Sequence, residues 1–358
     1  MNLGLLVYDG SLTGGAERVA WNLAEEFSKQ YHVFFISIFD KKKLCRKKYS
    51  FQIIVLSNHY VSLTQYLFPL ASKVRRYIKE NKIDILIAIT AGVVTIADLA
   101  TVRTSTKVIY AEHSNLENKT YGRKHQLRQL IGAKCSDRVV ALTERDKNNF
   151  IEKYRLAADR VYVIPNWHEI NHTRKEPYKA DAKKLISVGR LEQVKGYHYL
   201  IDVAEQIYSQ FPDWKWDIYG DGTLYKEIQS QIQSRHLQNF VTLKGNVSGL
   251  DQIYYQYSIY VMTSQYEGLP MSLLEAQAAG LPIVSFDCPT GPAEIVCDGV
   301  NGRIVEAYQT KKMAEVLKRL MSDSTLRESY AAKAGIHLEQ YSKKNVQQKW
   351  MELFHAMN

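Results

Sequence analysis

The most informative absences in this chain of 358 residues concern cysteine pairs and long apolar runs. Its four cysteines, Cys45, Cys135, Cys288 and Cys297, form no Cys-x-x-Cys pair, so neither a disulfide framework nor a zinc site is indicated. No uninterrupted apolar run reaches the roughly 20 residues that a membrane-spanning helix needs. The first residues also lack the basic segment and cleavage site of a signal peptide. We therefore expect a cytoplasmic protein with reduced thiols.

The chain also lacks an acidic excess, and its net charge of +10 is unevenly distributed. Residues 1–170 hold 26 Lys and Arg against 16 Asp and Glu, whereas residues 171–358 hold 21 of each. This asymmetry predicts an anionic partner for the first half alone: a nucleic acid, an acidic lipid or a phosphorylated substrate. Nucleic acid is the least favoured, because no helix-turn-helix, RNP or zinc-finger motif accompanies the charge.

What the chain does contain is an alternation of strand and helix patterns, with 46% apolar and 23% charged residues overall. Short β-rich runs such as LGLLVY, HVFFISIF and IDILIAI are separated by helical patterns near residues 16–29, 62–80 and 121–134. That order predicts βαβ units and parallel sheets with helices on both faces. The predicted fold class is α/β, with two doubly wound, Rossmann-like domains, in agreement with the length.

A charged stretch without apolar periodicity, from Trp167 to Lys183, separates the two halves and is interpreted as a linker. The alternation restarts with LISVGR and continues to NGRIVE, and a helical pattern follows. We predict an N-terminal domain over residues 1–168, a C-terminal domain over 169–341, and a final helix over 342–358 that packs back on the N-terminal domain. Ligands of such folds bind at the carboxyl ends of the strands, so we expect a cleft there between the domains.

Two carboxylates in the stretch YEGLPMSLLEAQAAGLPIVS suggest a ligand site. Glu267 falls in the loop after the strand IYVMTS, and Pro270 is expected in the first turn of the helix that follows. Gly268 and Leu269 then offer backbone N–H groups to an anion such as a phosphate. Glu275, further along the helix, can accept hydrogen bonds from a ribose hydroxyl pair. The alternative is that both acids are simply favoured near a helix start.

Two cations are predicted at the same sheet edge by the stretch SVGRLEQVKGYHYLI. Arg190 ends the first strand of the second half, and Lys195 stands five residues later beside Gly196. Fixed cations there can hold a pyrophosphate and stabilise its charge as it leaves. The alternative is two solvated surface charges.

Two weaker signals lie in the first half. Gly15 belongs to a glycine pair between the first strand and the first helix, where either a phosphate cradle or a tight turn is compatible with the pattern. His113 ends the strand of VIYAEHSN, and a histidine at that edge can hydrogen-bond a sugar or assist proton movement.

Taken together, GGAER, EHSN, GRLEQVKG, YGDG, LKGNV, EGLPMSLLEAQAAGLPIVS and GPAEIVCDGVNG resemble the retaining glycosyltransferases of family 4. The resemblance covers most of the chain and is strongest over residues 184–305. It implies the GT-B architecture, in which an acceptor-side domain and a nucleotide-sugar domain face each other across a cleft.

The resemblance also implies roles for individual residues of the second half. Arg190 and Lys195 match the basic pair that binds the donor diphosphate. Glu267 and Glu275 match the two acids of the E-x7-E motif, of which the first approaches the donor sugar and the second binds ribose.

Gly268, Leu269 and Pro270 correspond to the loop whose backbone amides meet phosphate and sugar. Gly15 matches the glycine-rich loop under the diphosphate, and His113 resembles the histidine that touches the donor sugar.

Asn246 and Val247 fall where family members contact the base through the main chain. No Asp-x-Asp tripeptide occurs, so the metal-binding signature of the other main glycosyltransferase architecture is missing. We expect no metal and no cofactor. The resemblance implies same-face attack, in which the acceptor hydroxyl enters beside the departing nucleotide diphosphate, and no pair of carboxylates for double displacement is evident.

A membrane surface is a further expected partner of the basic half. Basic clusters occur at 41–48, 73–79 and 118–135, and Leu63, Tyr66, Leu67, Leu70, Val74 and Tyr77 form an apolar stripe at near-helical spacing. Such a stripe with adjacent cations can lie on an anionic bilayer. The alternative is that the stripe covers the sheet.

These observations predict a glycosyltransferase that moves a hexose or N-acetylhexosamine from a nucleotide sugar, expected to be a UDP-sugar, to a polysaccharide or lipid-linked oligosaccharide. We expect it to act at the inner face of the cell membrane, without nucleic acid. Two alternatives stay open: a UDP-sugar 2-epimerase of the same architecture, and a non-catalytic sugar-nucleotide or nucleic-acid binding protein.

Overall fold

The chain folds into two compact units. The computed structural model describes residues 1–11, 15–40, 49–118, 122–168 and 177–357. Unit 1 comprises Met1–Ile164 with Trp350–Asn358, and unit 2 comprises Pro165–Lys349. The basic run at 41–48, Gly14 of the glycine pair, and the middle of the stretch interpreted as a linker lie outside the described residues.

Unit 1 is built on one parallel sheet of seven strands with the order β3-β2-β1-β4-β5-β6-β7. Its central strands are buried on both faces, which explains their continuous apolar sequences. Leu5 of the first strand, for example, pairs with Phe35 on one side and Ile87 on the other, and all three are fully buried. The strands are β1 (Asn2–Asp9), β2 (His32–Phe39), β3 (Gln52–Val55), β4 (Ile85–Ile89), β5 (Lys107–Ala111), β6 (Arg138–Ala141) and β7 (Val161–Val163).

Helices connect these strands and cover the sheet. They are α1 (Gly15–Phe27), α2 (Leu67–Glu80), α3 (Ala91–Thr101), α4 (Arg123–Cys135) and α5 (Glu144–Tyr154). Helix α5 has a capping residue at each end. The Thr143 hydroxyl accepts a hydrogen bond from the backbone N–H of Asp146 at the start, and Arg155 ends the helix in the left-handed conformation.

Unit 2 repeats the pattern with a six-stranded parallel sheet in the order β10-β9-β8-β11-β12-β13. Its strands are β8 (Lys184–Val188), β9 (Lys215–Tyr219), β10 (Val241–Gly245), β11 (Ile259–Met262), β12 (Ile283–Asp287) and β13 (Gly302–Glu306). Its helices are α6 (Tyr197–Tyr208), α7 (Tyr225–Ser234), α8 (Leu250–Ile253), α9 (Met271–Ala278), α10 (Pro292–Ile295), α11 (Thr310–Ser322), α12 (Ser324–Ala332) and α13 (Lys343–His355). Both doubly wound sheets that the sequence predicts are therefore confirmed.

The end of α13 belongs to unit 1 from Trp350 onward. The rings of Trp350 and Phe354 pack edge-to-face against Phe27 of α1, with centroids 5.9 and 5.2 Å apart. The hydroxyl of Tyr31 donates to the sulfur of Met351 at 3.1 Å. The C-terminal turns are thus an integral part of the unit 1 core.

Three elements of unit 1 are absent from the sequence prediction, and one interpretation is wrong. The short strand β3 and the helices α3 and α5 were not predicted; α3 is buried almost all round, so it has no amphipathic period to detect. The predicted apolar stripe largely covers the sheet: Leu70 and Val74 are core residues, and Leu63, Leu67 and Tyr77 pack against that core. Only Tyr66 of the six stripe residues is exposed, at 51%, so the stripe as a whole does not offer a face to a bilayer.

Across the described ranges, every helix is too short or too polar to cross a bilayer.

We predict that Asp98 makes unit 1 less stable as the pH rises. Burial raises the pKa of this carboxyl on α3 to about 7, against the hydrogen bond from Ser136. Between about pH 4, where an unfolded Asp ionises, and about pH 7, only the unfolded chain releases the proton, so the free energy of unfolding falls by up to about 1.4 kcal/mol per pH unit. Asp98→Asn should remove this slope in urea unfolding curves recorded at pH 4.5, 6 and 7.5.

The control for this experiment is Ser136→Ala, which removes the hydrogen bond that lowers the pKa of Asp98. It should move the loss of stability to higher pH. A difference between wild type and Asp98→Asn that stays constant over the pH range would contradict the assignment.

Candidate functional site

The strand order of unit 2 places the candidate site at one edge of its sheet. From β8 the chain moves outward to β9 and β10, and then returns to the other side of β8 for β11, β12 and β13. The order therefore reverses between β8 and β11, and open α/β sheets bind ligands outside the carboxyl ends of the strands at such a point. The segment with Arg190 and Lys195 follows β8, and the segment with Glu267 follows β11.

The loops after β8 and β9 are stacked backbone to backbone. Gly220 has φ +139°, and a Cβ there would lie 1.9 Å from the carbonyl oxygen of Gly189, so only glycine fits. The carboxylate of Glu192 accepts hydrogen bonds from the backbone N–H and hydroxyl of Thr223 at 3.2 and 2.8 Å. Arg190 lies in this loop with an exposed side chain. The packing fixes the backbone from which Arg190 extends.

Lys195 is the last residue of a short 3-10 helix that packs against the loop after β11. Gly196, in the left-handed conformation, follows it, and a Cβ there would lie 2.2 Å from the carbonyl oxygen of Thr263. Lys195 Nζ lies 2.6 Å from Glu267 Oε1, with side-chain exposures of 19% and 10%. The Ser264 hydroxyl donates to the same carboxylate oxygen at 2.6 Å. The structure thus joins Lys195 directly to Glu267.

The backbone of the Glu267 loop is held from the far side by the loop after β12. The hydroxyl of Thr290 donates to the carbonyl oxygen of Glu267. Gly291 has φ +94°, and a Cβ there would lie 2.8 Å from the carbonyl oxygen of Gly268. Pro270 is the N-cap of α9, not a residue of its first turn as the sequence predicts, because the helix begins only at Met271. Gly268 and Leu269 therefore lie in the loop that leads into this helix.

Glu275 is in α9 and has a buried partner. Its carboxylate accepts a hydrogen bond from the hydroxyl of Tyr254 at 3.0 Å. Burial, followed by the nearby charge of Glu275, raises the pKa of Tyr254 well above its usual value. Tyr254 thus remains a neutral donor that orients this carboxylate.

Asn246 and Val247 follow β10 at the edge of the sheet, and both are exposed. Along this edge the carboxyl ends of the strands come in the order β11, β8, β9 and β10. Three strand spacings of roughly 4.8 Å, about 14 Å in all, therefore separate the Glu267 loop from the segment with Asn246 and Val247. The predicted residues of unit 2 thus form a row along one edge of the sheet.

In unit 1, His113 follows Glu112 just beyond the carboxyl end of β5. Glu112 is only 2% exposed and accepts hydrogen bonds from the hydroxyl of Tyr110 and from the backbone and hydroxyl of Ser114. Burial, and then the charge of Glu112, raise the pKa of Asp146 to about 7. The turn that carries His113 is therefore held by a buried carboxylate on its inner side.

Gly15 is the first residue of α1 and is exposed. A Cβ there would meet nothing within 4 Å, and its φ lies outside the left-handed region. Nothing in the local geometry requires glycine at this position.

Several residues that shape the site were missed by the sequence analysis. Ser264, Thr290 and Tyr254 all hydrogen-bond to Glu267 or Glu275, and Glu112 supports the His113 turn. Of these, only Glu112 has a detectable signal: a charged residue directly after the fully apolar core of a strand. The hydroxyl donors have none, because Ser, Thr and Tyr are common in any loop.

The arrangement brings one ammonium and one carboxylate together beside the loop that leads into α9. A lysine there can neutralise an anion such as a diphosphate, and the two glutamates can accept hydrogen bonds from sugar hydroxyls. In the part of the chain that the structure describes, no group of three or more His, Cys, Asp or Glu side chains is placed to hold a metal ion.

Two family models match the chain in succession. Residues 13–171 match the model described as Glycosyltransferase Family 4, and residues 169–336 match the model described as Glycosyl transferases group 1. The two matches together span both units.

Similar proteins cover the whole chain. It is 28% identical over 349 residues to an uncharacterized glycosyltransferase of Haemophilus influenzae, covering 97% of this chain and 98% of that protein. It is 27% identical over 363 residues to the amylovoran biosynthesis glycosyltransferase AmsD of Erwinia amylovora, covering 98% of each. The crystal structure of Anabaena Alr3699/HepE in complex with UDP and glucose matches with a TM-score of 0.85 and 22% identity, over 99% of this chain and 100% of that one. The structural match confirms the GT-B fold class.

Proposed function

The chain belongs to the glycosyltransferases that combine a Family 4 domain with a group 1 domain, and from this premise we propose a donor, an acceptor and a mechanism. The enzyme transfers a hexose or N-acetylhexosamine from a UDP-sugar to a polysaccharide or a lipid-linked oligosaccharide. The anomeric configuration is retained, and no metal ion takes part.

The observation that carries this proposal is the contact between Lys195 and Glu267 at the switch point of unit 2. Taking both charges of such a largely buried pair out of water costs free energy that their attraction alone often does not offset, so a buried pair is weak evidence for a purely stabilising role. A diphosphate beside Lys195 and a sugar hydroxyl beside Glu267 supply each group with a second partner. Arg190, exposed in the adjoining loop, adds a second cation for the diphosphate.

The donor and acceptor classes are supported by the similar proteins. HepE was crystallised with UDP and glucose, and AmsD is named for amylovoran biosynthesis. For this chain, Glu275 binds the ribose, held in place by Tyr254, and the backbone of Asn246 and Val247 meets the uracil. Gly268, Leu269 and Pro270 border the phosphate and sugar, and the roles of Gly15 and His113 in unit 1 stay predictions.

The proposed reaction needs no second carboxylate as nucleophile. The acceptor hydroxyl attacks the anomeric carbon from the side on which the nucleotide departs, and the bond between that carbon and the diphosphate oxygen breaks. The proton of the hydroxyl passes to the departing phosphate oxygen. Lys195 and Arg190 stabilise the charge that develops on the diphosphate, which is the kind of preorganised electrostatic effect that dominates many enzymatic accelerations.

Two other functions are compatible with the fold class. A UDP-sugar 2-epimerase would convert its nucleotide sugar without an acceptor. A sugar-nucleotide or nucleic-acid binding protein would keep its function without Glu267. The epimerase differs from a transferase in its product, and a binding protein forms no product.

We predict that UDP-sugars are consumed only when a glycan acceptor is present. A panel of nucleotide sugars, incubated with short lipid-linked oligosaccharides and without them, is read by mass spectrometry, and NMR of the product gives its anomeric configuration.

Lys195→Ala should lower turnover on the order of 10²-fold or more, because it removes a main stabiliser of the leaving diphosphate.

The matched control is Lys183→Ala, which removes a lysine of the same unit whose ion pair with Asp213 is solvent-exposed. It should leave turnover unchanged. Near-normal turnover of Lys195→Ala would remove Lys195 from the mechanism, and conversion of a UDP-sugar without acceptor would favour the epimerase.

We also predict that chelation does not slow the reaction. Initial rates measured after treatment with EDTA should equal those of the untreated enzyme, since lysine and arginine supply the positive charge. Adding MgCl2 to the treated enzyme should then change nothing. Strong inhibition by EDTA that a divalent cation reverses would rule out the metal-independent mechanism.

We also propose an anionic membrane surface as a partner. The proposal rests on exposed aromatic and basic side chains of unit 1 and not on the apolar stripe as a whole. Tyr60, Tyr66 and Phe68 are 76%, 51% and 74% exposed around the start of α2, and Leu127 of α4 is 55% exposed. A hydrogen bond from Arg128 to the hydroxyl of Thr64 joins these two segments. We call this set, together with Arg123 and Lys124, the apolar-basic surface.

The charge of this surface favours a bilayer over solvent alone. Arg123 and Lys124 occupy the first turn of α4, where cations oppose the helix dipole and acidic residues are preferred. Exposed aromatic rings insert at the level of lipid headgroups, and each nearby basic residue adds about 1 kcal/mol on an anionic surface.

We predict that the protein sediments with vesicles that contain anionic lipid and that high salt weakens this binding. Phe68→Asp should reduce the bound fraction at least several-fold, because it places a charge in the headgroup region. Val102→Asp is the matched control, since Val102 is 52% exposed in unit 1 but follows the far end of α3. Equal loss in both variants, or no binding at any salt concentration, would refute the membrane proposal.

A further inference from the structure

A cluster of aromatic rings borders the Lys195–Glu267 pair in unit 2. It consists of Tyr199 in the first turn of α6, Phe286 in β12 and Tyr308 just after β13, and we call it the aromatic cluster. Ring centroids are 5.3 Å apart for Tyr199 and Tyr308, 5.9 Å for Tyr199 and Phe286, and 6.5 Å for Phe286 and Tyr308. Phe286 is fully buried, whereas Tyr308 is 45% exposed. The cluster thus has a buried base and a ring that reaches solvent.

The backbone of Tyr308 has a conformation that is unfavourable for a bulky residue. Its φ is +68°, in the left-handed region that glycine and asparagine adopt readily and bulky residues rarely do. Such strain costs a non-glycine residue of order 1–3 kcal/mol and concentrates at functional sites. A half-exposed ring recovers only part of the burial energy of a core aromatic residue, so folding alone favours glycine at this position.

The aromatic cluster lies next to the candidate site. A Cβ on Gly196, the residue after Lys195, would lie 3.1 Å from Cδ2 of Tyr199. Cys288, just beyond β12, is close enough to both Lys195 and Glu267 for their charges to act on its thiol. Burial, together with nearby Tyr266, Tyr199 and Cys288, raises the pKa of Tyr308, so its hydroxyl is neutral at physiological pH. The Tyr308 ring packs against Tyr199, and Tyr199 in turn lies against the backbone directly after Lys195.

The chemistry of such a ring suits a sugar. The face of an aromatic ring carries partial negative charge and attracts groups with partial positive charge. A pyranose presents such groups on one face, where several C–H bonds point the same way, while its hydroxyls remain free at the rim for hydrogen bonds. An exposed ring with a rigid aromatic base beside a carboxylate is the combination that orients a sugar.

We propose that Tyr308, supported by Tyr199 and Phe286, stacks against a pyranose ring of a substrate beside Lys195 and Glu267. This inference rests on the proposed glycosyl transfer and adds a sugar subsite to it. The sugar belongs either to the donor or to the acceptor, since both present the same C–H face.

The test compares Tyr308→Gly with Tyr308→Phe. Tyr308→Gly removes the ring and suits the left-handed backbone, so its melting temperature should not fall. It should raise the KM of one sugar substrate roughly 3- to 10-fold, in line with the energy of an aromatic stacking contact. Tyr308→Phe keeps the ring and should stay within about 2-fold of wild type.

The two sources of the sugar are distinguished by which KM changes. A higher KM for the acceptor alone assigns the ring to the acceptor, and a higher KM for the UDP-sugar with unchanged inhibition by free UDP assigns it to the donor. His337→Gly is the backbone control, because His337 is exposed in the same unit with φ +61°; both KM values should be unchanged. Unchanged KM values in Tyr308→Gly, or an equal rise in Tyr308→Phe, would overturn the proposal.

A second experiment distinguishes failure of the sugar subsite from failure of the proposed glycosyl transfer. If the wild type transfers no sugar from any nucleotide sugar, the transferase proposal fails, and saturation-transfer NMR with maltotetraose and chitotetraose then tests the subsite alone. Signal in the wild type and Tyr308→Phe that disappears in Tyr308→Gly supports the subsite. No signal in the wild type, or equal signal in all three proteins, overturns it.

Discussion

The ion pair between Lys195 and Glu267 is the interaction on which the candidate site depends. Its partners are 72 residues apart in sequence, and most of their surface is removed from water. A charge pair in that setting is tolerable only with accurate geometry and further hydrogen bonds, which Ser264 supplies on the carboxylate side. The same pair presents an ammonium and a carboxylate at the point where a doubly wound sheet receives ligands. The two side chains must therefore be held firmly enough for a buried ion pair and still be placed where a ligand can bind. The surrounding loops hold them in this position.

Three glycines allow the loops around the ion pair to pack this closely. Gly196, Gly220 and Gly291 each bring one loop backbone against another at distances that a Cβ would forbid, and each has a positive φ. The loops after β8, β9, β11 and β12 are thereby locked to one another. A site built from loops on a rigid sheet gains precision from such backbone packing. Tyr308 is the contrasting case, because there a bulky residue occupies a backbone conformation that suits glycine.

Unit 1 shows a different balance of charge. Arg123 and Lys124 are exposed in the first turn of α4, where they oppose the helix dipole, and Tyr60 and Phe68 are exposed around the start of α2. Two carboxyl groups of this unit are buried instead. Glu112 holds the His113 turn, and burial, followed by the charge of Glu112, raises the pKa of Asp146.

The sequence by itself determined the two doubly wound sheets, the segments that carry Arg190, Lys195, Glu267 and Glu275, and the family, because strand periodicity and ligand-loop motifs are local patterns. It did not reveal α3, whose burial on all sides leaves no amphipathic period, and it favoured a bilayer for an apolar stripe that belongs to the core. Only the tertiary structure decided that Lys195 bonds to Glu267, that Tyr254 orients Glu275, and that Tyr308 packs against Tyr199. These contacts join residues from separate elements, and their existence depends on strand order and loop packing, which no single stretch of sequence encodes.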